Sequence, residues 1–170
     1  MTPTLAPTIP TPFTVVCDTR EQAPYLFAQP LRQGRNLFAV QTVRGTLKSG
    51  DYSILGFEDR IACERKSLTD AYGTFGQGRA RFVRELERLA AYEFAAVVVE
   101  AEWSTIWMQP PARSRLSPKS IVCSVCAWQM RFPNVHWHFV PGRDVGEAFT
   151  ITILDRWWRE QQQAAKGEIA

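Results

Sequence analysis

Apolar residues along this chain follow two different rhythms, and the points where the rhythm changes mark its elements. "FTVVCD", "NLFAVQTVR", "DYSILGF" and "RIACERK" are short runs rich in β-branched and aromatic residues. The turn-like "TREQAPY" and the glycines Gly45, Gly50 and Gly56 punctuate them, so they are predicted as four strands. Three hairpin-like strands in succession imply antiparallel pairing at this edge of the sheet. In "RARFVRELERLAAYE" the spacing becomes helical, with Phe82, Leu86, Leu89 and Ala90 on one side and Arg84, Glu85, Glu87 and Arg88 mainly on the other. "AAVVVEA" is a continuous apolar run of strand length, expected to be central and buried on both faces. Ser117 before Pro118 opens a helix over "SPKSIVCSVCAWQMRF", "PNVHWHFV" reads as a strand, and "DVGEAFTITILDRWWREQQQ" as a final helix. The order predicts an α/β domain with a mixed central sheet flanked by helices. The Pro- and Thr-rich residues 1–12 read as a disordered arm, residues 13–163 as one domain and residues 164–170 as a frayed tail.

At 170 residues, 45% hydrophobic and 22% charged, the chain has material for one core and not for two. Its net charge of +3 leaves any affinity for nucleic acid to a local basic surface. No apolar run approaches the ~20 residues that span a bilayer, and "MTPTLAPTIPTP" lacks the basic start and apolar centre of a secretory signal. A cytoplasmic protein with no membrane contact is expected. The four cysteines do not read as a disulfide framework. Cys123 and Cys126, with His136 and His138 further on, resemble a zinc ligand set; the competing reading places both cysteines on the buried side of a helix.

The strand "RIACERK" raises a physical question, because it runs straight into Glu64, Arg65 and Lys66. Alternation puts Glu64 and Lys66 on one face and Arg65 on the other. Asp51 opens the preceding strand, and the "GFED" turn would bring it beside Glu64. Two carboxylates and an ammonium together suit phosphodiester hydrolysis: the acids hold a Mg²⁺ ion, and the lysine holds water and offsets charge growing on phosphorus. The plainer alternative is a solvated pair at a strand end. Asp18 and Glu21 add carboxylates at the end of the first strand, or else cap a turn there.

Taken in order, "VVCDTRE", "GDYSI", "IACERKSLTD" and "GQGRARF" resemble the successive motifs of the XPF-type structure-specific DNA endonuclease domain. That family carries V-D-x-R-E, G-D-Y, E-R-K-x-x-x-D and a following G-R, and it lies within the restriction-endonuclease-like PD-(D/E)xK fold. The resemblance covers Phe13 to Arg84. It implies a DNA endonuclease acting on branched or junction DNA with Mg²⁺ or Mn²⁺. Asp51, Glu64, Lys66 and Arg65 would be catalytic, with Glu21, Asp51, Glu64 and Asp18 around the metal. Arg79, Arg65 and Arg20 would contact DNA. Asp70 closes the motif, although "SLTD" is equally a helix-start box in which Ser67 caps and Asp70 occupies the third position. Arg81, Arg84 and Arg88 either follow Arg79 onto DNA or pair with Glu85 and Glu87.

Trp103 and Trp107, with Arg113 and Arg115, form an aromatic and basic rim or else close a core. No helix-hairpin-helix or helicase segment accompanies the motifs, so a free-standing domain of phage or bacterial kind is expected. A homodimer through the C-terminal helix would use Trp157 and Trp158, unless these pack inward. Two other functions stay open: a non-catalytic DNA-binding scaffold and a sequence-specific restriction-type nuclease.

Overall fold

The computed structural model describes residues 8–112 and 114–167. Seven strands form one sheet, in the order β2 (Leu31–Gln33), β3 (Asn36–Gly45), β1 (Thr8–Asp18), β4 (Tyr52–Ile54), β5 (Ile61–Lys66), β6 (Phe94–Val99) and β7 (Val135–Phe139). Residues 8–12, expected in a disordered arm, are the start of β1; residues 1–7 lie outside the described region. At the other end α5 (Arg143–Gly167) runs through most of the expected tail.

The edge expected to be wholly antiparallel is mixed. β1 pairs antiparallel with β4, which pairs antiparallel with β5, but β1 and β3 run parallel, from Thr14 opposite Gln41 to Asp18 opposite Gly45. The three-residue β2 is the reason: it forms a hairpin with β3 around Gly34, and that reversal turns β3 parallel to β1 after a long crossover. β5, β6 and β7 are mutually parallel.

Strand alternation divides the interior between two faces. Ala62, Ala95, Val97, Val99, Val135 and Trp137 face a core closed by α1 (Leu68–Phe75), α2 (Arg79–Leu89), α3 (Trp103–Met108) and α4 (Pro118–Arg131). Phe82, Leu86 and Leu89 of α2, spaced one helical turn apart, are buried there as the sequence pattern requires. Ile61, Cys63, Ala96, Val15 and Tyr52 face the other core, which α5 covers with Ile151, Leu154 and Trp157. β6 contributes to both, so its run of small and β-branched residues has no solvent side.

Trp157 and Trp158 pack inward, against Phe57 at 5.2 Å and Phe13 at 5.8 Å between ring centres. They are not displayed for a partner. Cys123 and Cys126 are exposed on α4, whose buried side is Ile121, Ser124, Val125 and Trp128, so the cysteines do not sit on the buried face as expected. Trp137 points into the core beneath α4, which places His136 and His138 on the opposite side of the sheet, with His138 against Phe149 of α5. The sheet therefore separates the cysteine pair from the histidine pair. Among the described residues no helix is long and apolar enough to cross a membrane.

Leu154 is fully buried where α5 meets the sheet. Leu154→Ala should lower stability by about 2–5 kcal/mol through lost transfer energy and the cavity left behind. Denaturant titration should show a reduced midpoint with an unchanged slope.

Candidate active site

The charged end of β5 meets two different environments. Glu64 and Lys66 lie on the face covered by α1 and α2, where the Lys66 ammonium donates to Glu64 Oε1 and sits 5.1 Å from the centre of the Phe82 ring. Arg65 points to the α5 side, as alternation requires. There its Nε and Nη2 donate to the two carboxylate oxygens of Glu100, each at 2.7 Å, and its Nη1 stands 3.5 Å from Glu21. Arg65 is therefore a buried clamp, with a side chain only 10% exposed, and not a residue free to meet DNA.

Asp51 is positioned by backbone. Its N–H donates to the Cys63 carbonyl and its own carbonyl accepts from the Asp18 N–H, both at 2.8 Å, so its main chain links β5 to β1. Gly50, at φ 80°, makes that approach possible: a Cβ there would meet Ala62 Cβ at 2.9 Å. The Asp51 side chain then accepts from the Arg65 N–H at 2.7 Å. Burial raises Asp51 well above the usual carboxylate range, and the Glu64 charge adds to it; the Arg65 N–H and Lys66 oppose this without winning. Burial likewise raises Glu64 against the pull of Lys66, and Glu85 adds to the rise. Burial works to lower Lys66, yet Glu64, Asp51 and Glu85 together hold it above its ordinary value, so the ammonium is charged at neutral pH.

Glu21 stands at the rim, its Oε1 accepting from the Ala23 N–H at 2.7 Å and its side chain 10% exposed. Asp18, expected as a further metal ligand, is the hub of the turn instead. Oδ1 accepts from the N–H and Nε of Arg20, at 2.7 and 2.8 Å, while Oδ2 accepts from Arg20 Nη2 and the Leu47 N–H, at 2.9 and 2.7 Å. The carboxylate's acceptor positions are thereby used. Arg20 remains largely exposed on its outer side.

Asp70 belongs to the start of α1: its N–H donates to Ser67 Oγ at 3.1 Å, and Ser67 Oγ donates to its carboxylate at 2.5 Å. Of its two open roles, the helix cap is the one occupied. Arg79 opens α2 exposed, its guanidinium 4.7 Å from the centre of the Trp128 ring and bonded to Ser124 Oγ.

The donor chemistry fits a hard divalent cation: Asp51, Glu64 and Glu21 offer only carboxylate oxygens, and burial is the main cause that raises Asp51 and Glu64, a cost that a bound cation would offset. Among the described residues, no three His, Cys, Asp or Glu side chains are gathered closely enough to hold an ion. Glu64 is turned to Lys66 and Asp51 to the Arg65 N–H.

Three groups were not foreseen. Glu100 receives Arg65, Tyr25 Oη donates to Glu100 at 2.9 Å, and Arg143 at the start of α5 approaches Glu100 at 3.8 Å and lies over the Tyr25 ring. A signal existed for Glu100, an acid directly after a fully apolar strand, at the carboxyl end of a parallel pair where sites collect. α2 also brings Glu85, read as part of a solvated helix face, near enough for its charge to act on Glu64 and Lys66.

A mixed sheet between helical layers, with buried acids and a lysine at its strand ends, defines a restriction-endonuclease-like domain. The chain belongs to the ERCC4 domain family, whose profile matches residues 17–147. Solved structures agree on the fold. XPF from Aeropyrum pernix superposes with a TM-score of 0.58 at 24% identity, over 85% of this chain and 60% of that one. XPF from Aeropyrum pernix in complex with DNA gives 0.58 at 25% identity, over 88% and 66%. The chain thus spans three fifths to two thirds of those chains. No curated protein matches it.

Hydrogen bonds from Arg20 and Leu47 outweigh burial and hold Asp18 below its ordinary value. A depressed folded-state value contributes stability that is present above the unfolded value of about 3.9 and lost as pH falls through the folded one. Asp18→Asn should therefore be less stable than the parent at pH 7, and the gap should close below about pH 4 in a series of melts. Glu100→Gln removes the counter-charge of a buried guanidinium and should cost about 3–5 kcal/mol, read by chemical denaturation.

Proposed function

We propose that this domain is a divalent-metal-dependent endonuclease that hydrolyses phosphodiester bonds in DNA at branched or single-strand/duplex junctions. The observation that carries the reading is the gathering of half-buried Asp51 and Lys66 with buried Glu64 at the end of the sheet, in a chain of the ERCC4 domain family. The solved relative in complex with DNA supports DNA as the substrate class. The junction preference rests on the likeness of the four motifs to XPF-type nucleases.

Asp51, Glu64 and Glu21 would hold the ion. When bound, Mg²⁺ or Mn²⁺ supplies positive charge that polarises the phosphoryl oxygen and acidifies a water. Lys66, kept charged by its acidic neighbours, orients the attacking water and offsets negative charge developing on phosphorus. Arg65 acts from the opposite face: it fixes Asp51 through its N–H and steadies Glu21 and the strand end through Glu100. Arg79 and Arg20, both exposed, are placed for phosphate contacts that position the strand without reading its sequence. A homodimer through α5 would have to use residues other than the inward-packed Trp157 and Trp158.

End-labelled duplex, splayed-arm, flap and single-stranded DNA, each with Mg²⁺, Mn²⁺ or EDTA, test the reading. Cleavage should require the metal and concentrate near the junction, and Asp51→Asn and Lys66→Ala should each reduce it by about 10²-fold or more. Undiminished cleavage by both variants would refute the assignment. Binding without cutting would make the domain a DNA-binding scaffold, and fixed cut positions on random duplex would make it a restriction-type enzyme.

A further inference from the structure

Exposed aromatic surface is concentrated on one short helix. Trp103 is 39%, Trp107 53% and Met108 76% exposed, all within the six residues of α3. The helix is not a loose flap. Ile106 is fully buried beneath it, and the Tyr72 hydroxyl of α1 donates to the Ile106 carbonyl at 2.6 Å. The Trp103 ring lies on Phe139, with centres 3.8 Å apart and planes 29° apart. Trp103 and Trp107 are four residues apart and share a side of the helix. Two large rings are thus held on an anchored element with their outer surfaces in water.

Their position ties them to the candidate site. The Glu100 N–H donates to the Lys66 carbonyl at 2.8 Å, and α3 begins three residues later. Three residues reach at most ~11 Å, and a further helical turn adds ~6 Å. Both tryptophan backbones therefore lie within ~17 Å of Glu100, the residue hydrogen-bonded to the catalytic strand end. From residue 103 to residue 119 the sequence holds no acid and three cations, Arg113, Arg115 and Lys119. Glu102, the N-cap residue of α3, is the one acid of the segment 102–119, against three cations. Rings in a segment of net positive charge suit a polyanion carrying flat faces of its own.

We infer that the Trp103 and Trp107 face of α3 is a stacking platform for unpaired bases of a DNA strand entering or leaving the site. In a duplex the base faces are covered by their neighbours, so the occupant is a single-stranded segment, and stacking on a ring tolerates any base. The platform gives the junction preference a physical origin within the nuclease domain: the duplex lies against the phosphate-contacting arginines and the unpaired strand on the rings. This assignment of the single-stranded segment rests on the nuclease reading.

Binding of fluorescein-labelled oligothymidylate and of blunt duplex, measured by anisotropy in EDTA for the parent, Trp107→Ala and Trp107→Phe, tests the platform. Cleavage of splayed-arm DNA with Mg²⁺ is followed beside it. Trp107→Ala should weaken oligothymidylate binding about tenfold, Trp107→Phe should retain most of it, and duplex binding should be unchanged. Equal affinity of the parent and Trp107→Ala for oligothymidylate would overturn the inference, as would a parallel loss for duplex. If the ring dependence holds while the parent cuts nothing, the platform stands and the nuclease reading falls. If the parent cuts and Trp107→Ala binds as it does, only the platform falls.

Discussion

Three consecutive charges buried at the end of β5 set the constraint to which the rest of the molecule answers. An ion taken out of water is costly unless a counter-ion and hydrogen bonds replace its hydration. Alternation prevents one partner from serving all three. On the α2 side Glu64 and Lys66 satisfy one another, with Phe82 covering the ammonium. On the α5 side Arg65 needs an acid from elsewhere in the chain, and the parallel register of β5 with β6, which sets Lys66 opposite Val99, delivers Glu100. Tyr25 and Arg143 then draw the loop after β1 and the start of α5 onto the same carboxylate. One face holds the groups suited to chemistry, and the other holds them in place.

The close approach of α5 depends on a small residue. A Cβ on Gly146 would stand 2.5 Å from the Tyr25 hydroxyl and 3.3 Å from the Glu100 side chain. Glycine in a helix interior carries a propensity penalty of about 1 kcal/mol relative to alanine, and here it leaves room for the Tyr25–Glu100 bond. The helical layers cover the sheet unequally. α1 to α4 close only the β5 to β7 half of their face, and over β1, β3 and β4 a cavity of about 490 Å³ remains, lined in part by Val16, Val43, Lys48 and Leu55.

Much of this was legible in the residues, because strong periodicity is a local signal. The burial of α2 on Phe82, Leu86 and Leu89, the doubly buried β6 and the opposed faces of Glu64 and Arg65 all follow from spacing alone. What escaped was short or non-local. β2 has three residues and α3 six, too few for a period to show, and without β2 the parallel pairing of β1 with β3 could not be seen. Cys123 and Cys126 were placed inward because cysteine counts as apolar, while Ser124, which bonds the Ser120 carbonyl, takes an inward position. In "CDTRE" the acids look alike, and only the fold separates Asp18, saturated by Arg20 and Leu47, from Glu21, which stands beside Arg65.

The backbone of Asp51 carries one more implication. Because it is stitched to β1 through Asp18 and to β5 through Cys63, this carboxylate is carried by the hydrogen-bond ladder of the sheet and not by a loop lying over it. A loop residue can leave its post while the domain stays folded, on the timescale of local fluctuations. Asp51 has no such separate clock. The arrangement of its carboxylate lasts as long as the central strands stay paired, so whatever tempers this site in time must act through groups that come and go around it, above all the cation and the strand it meets.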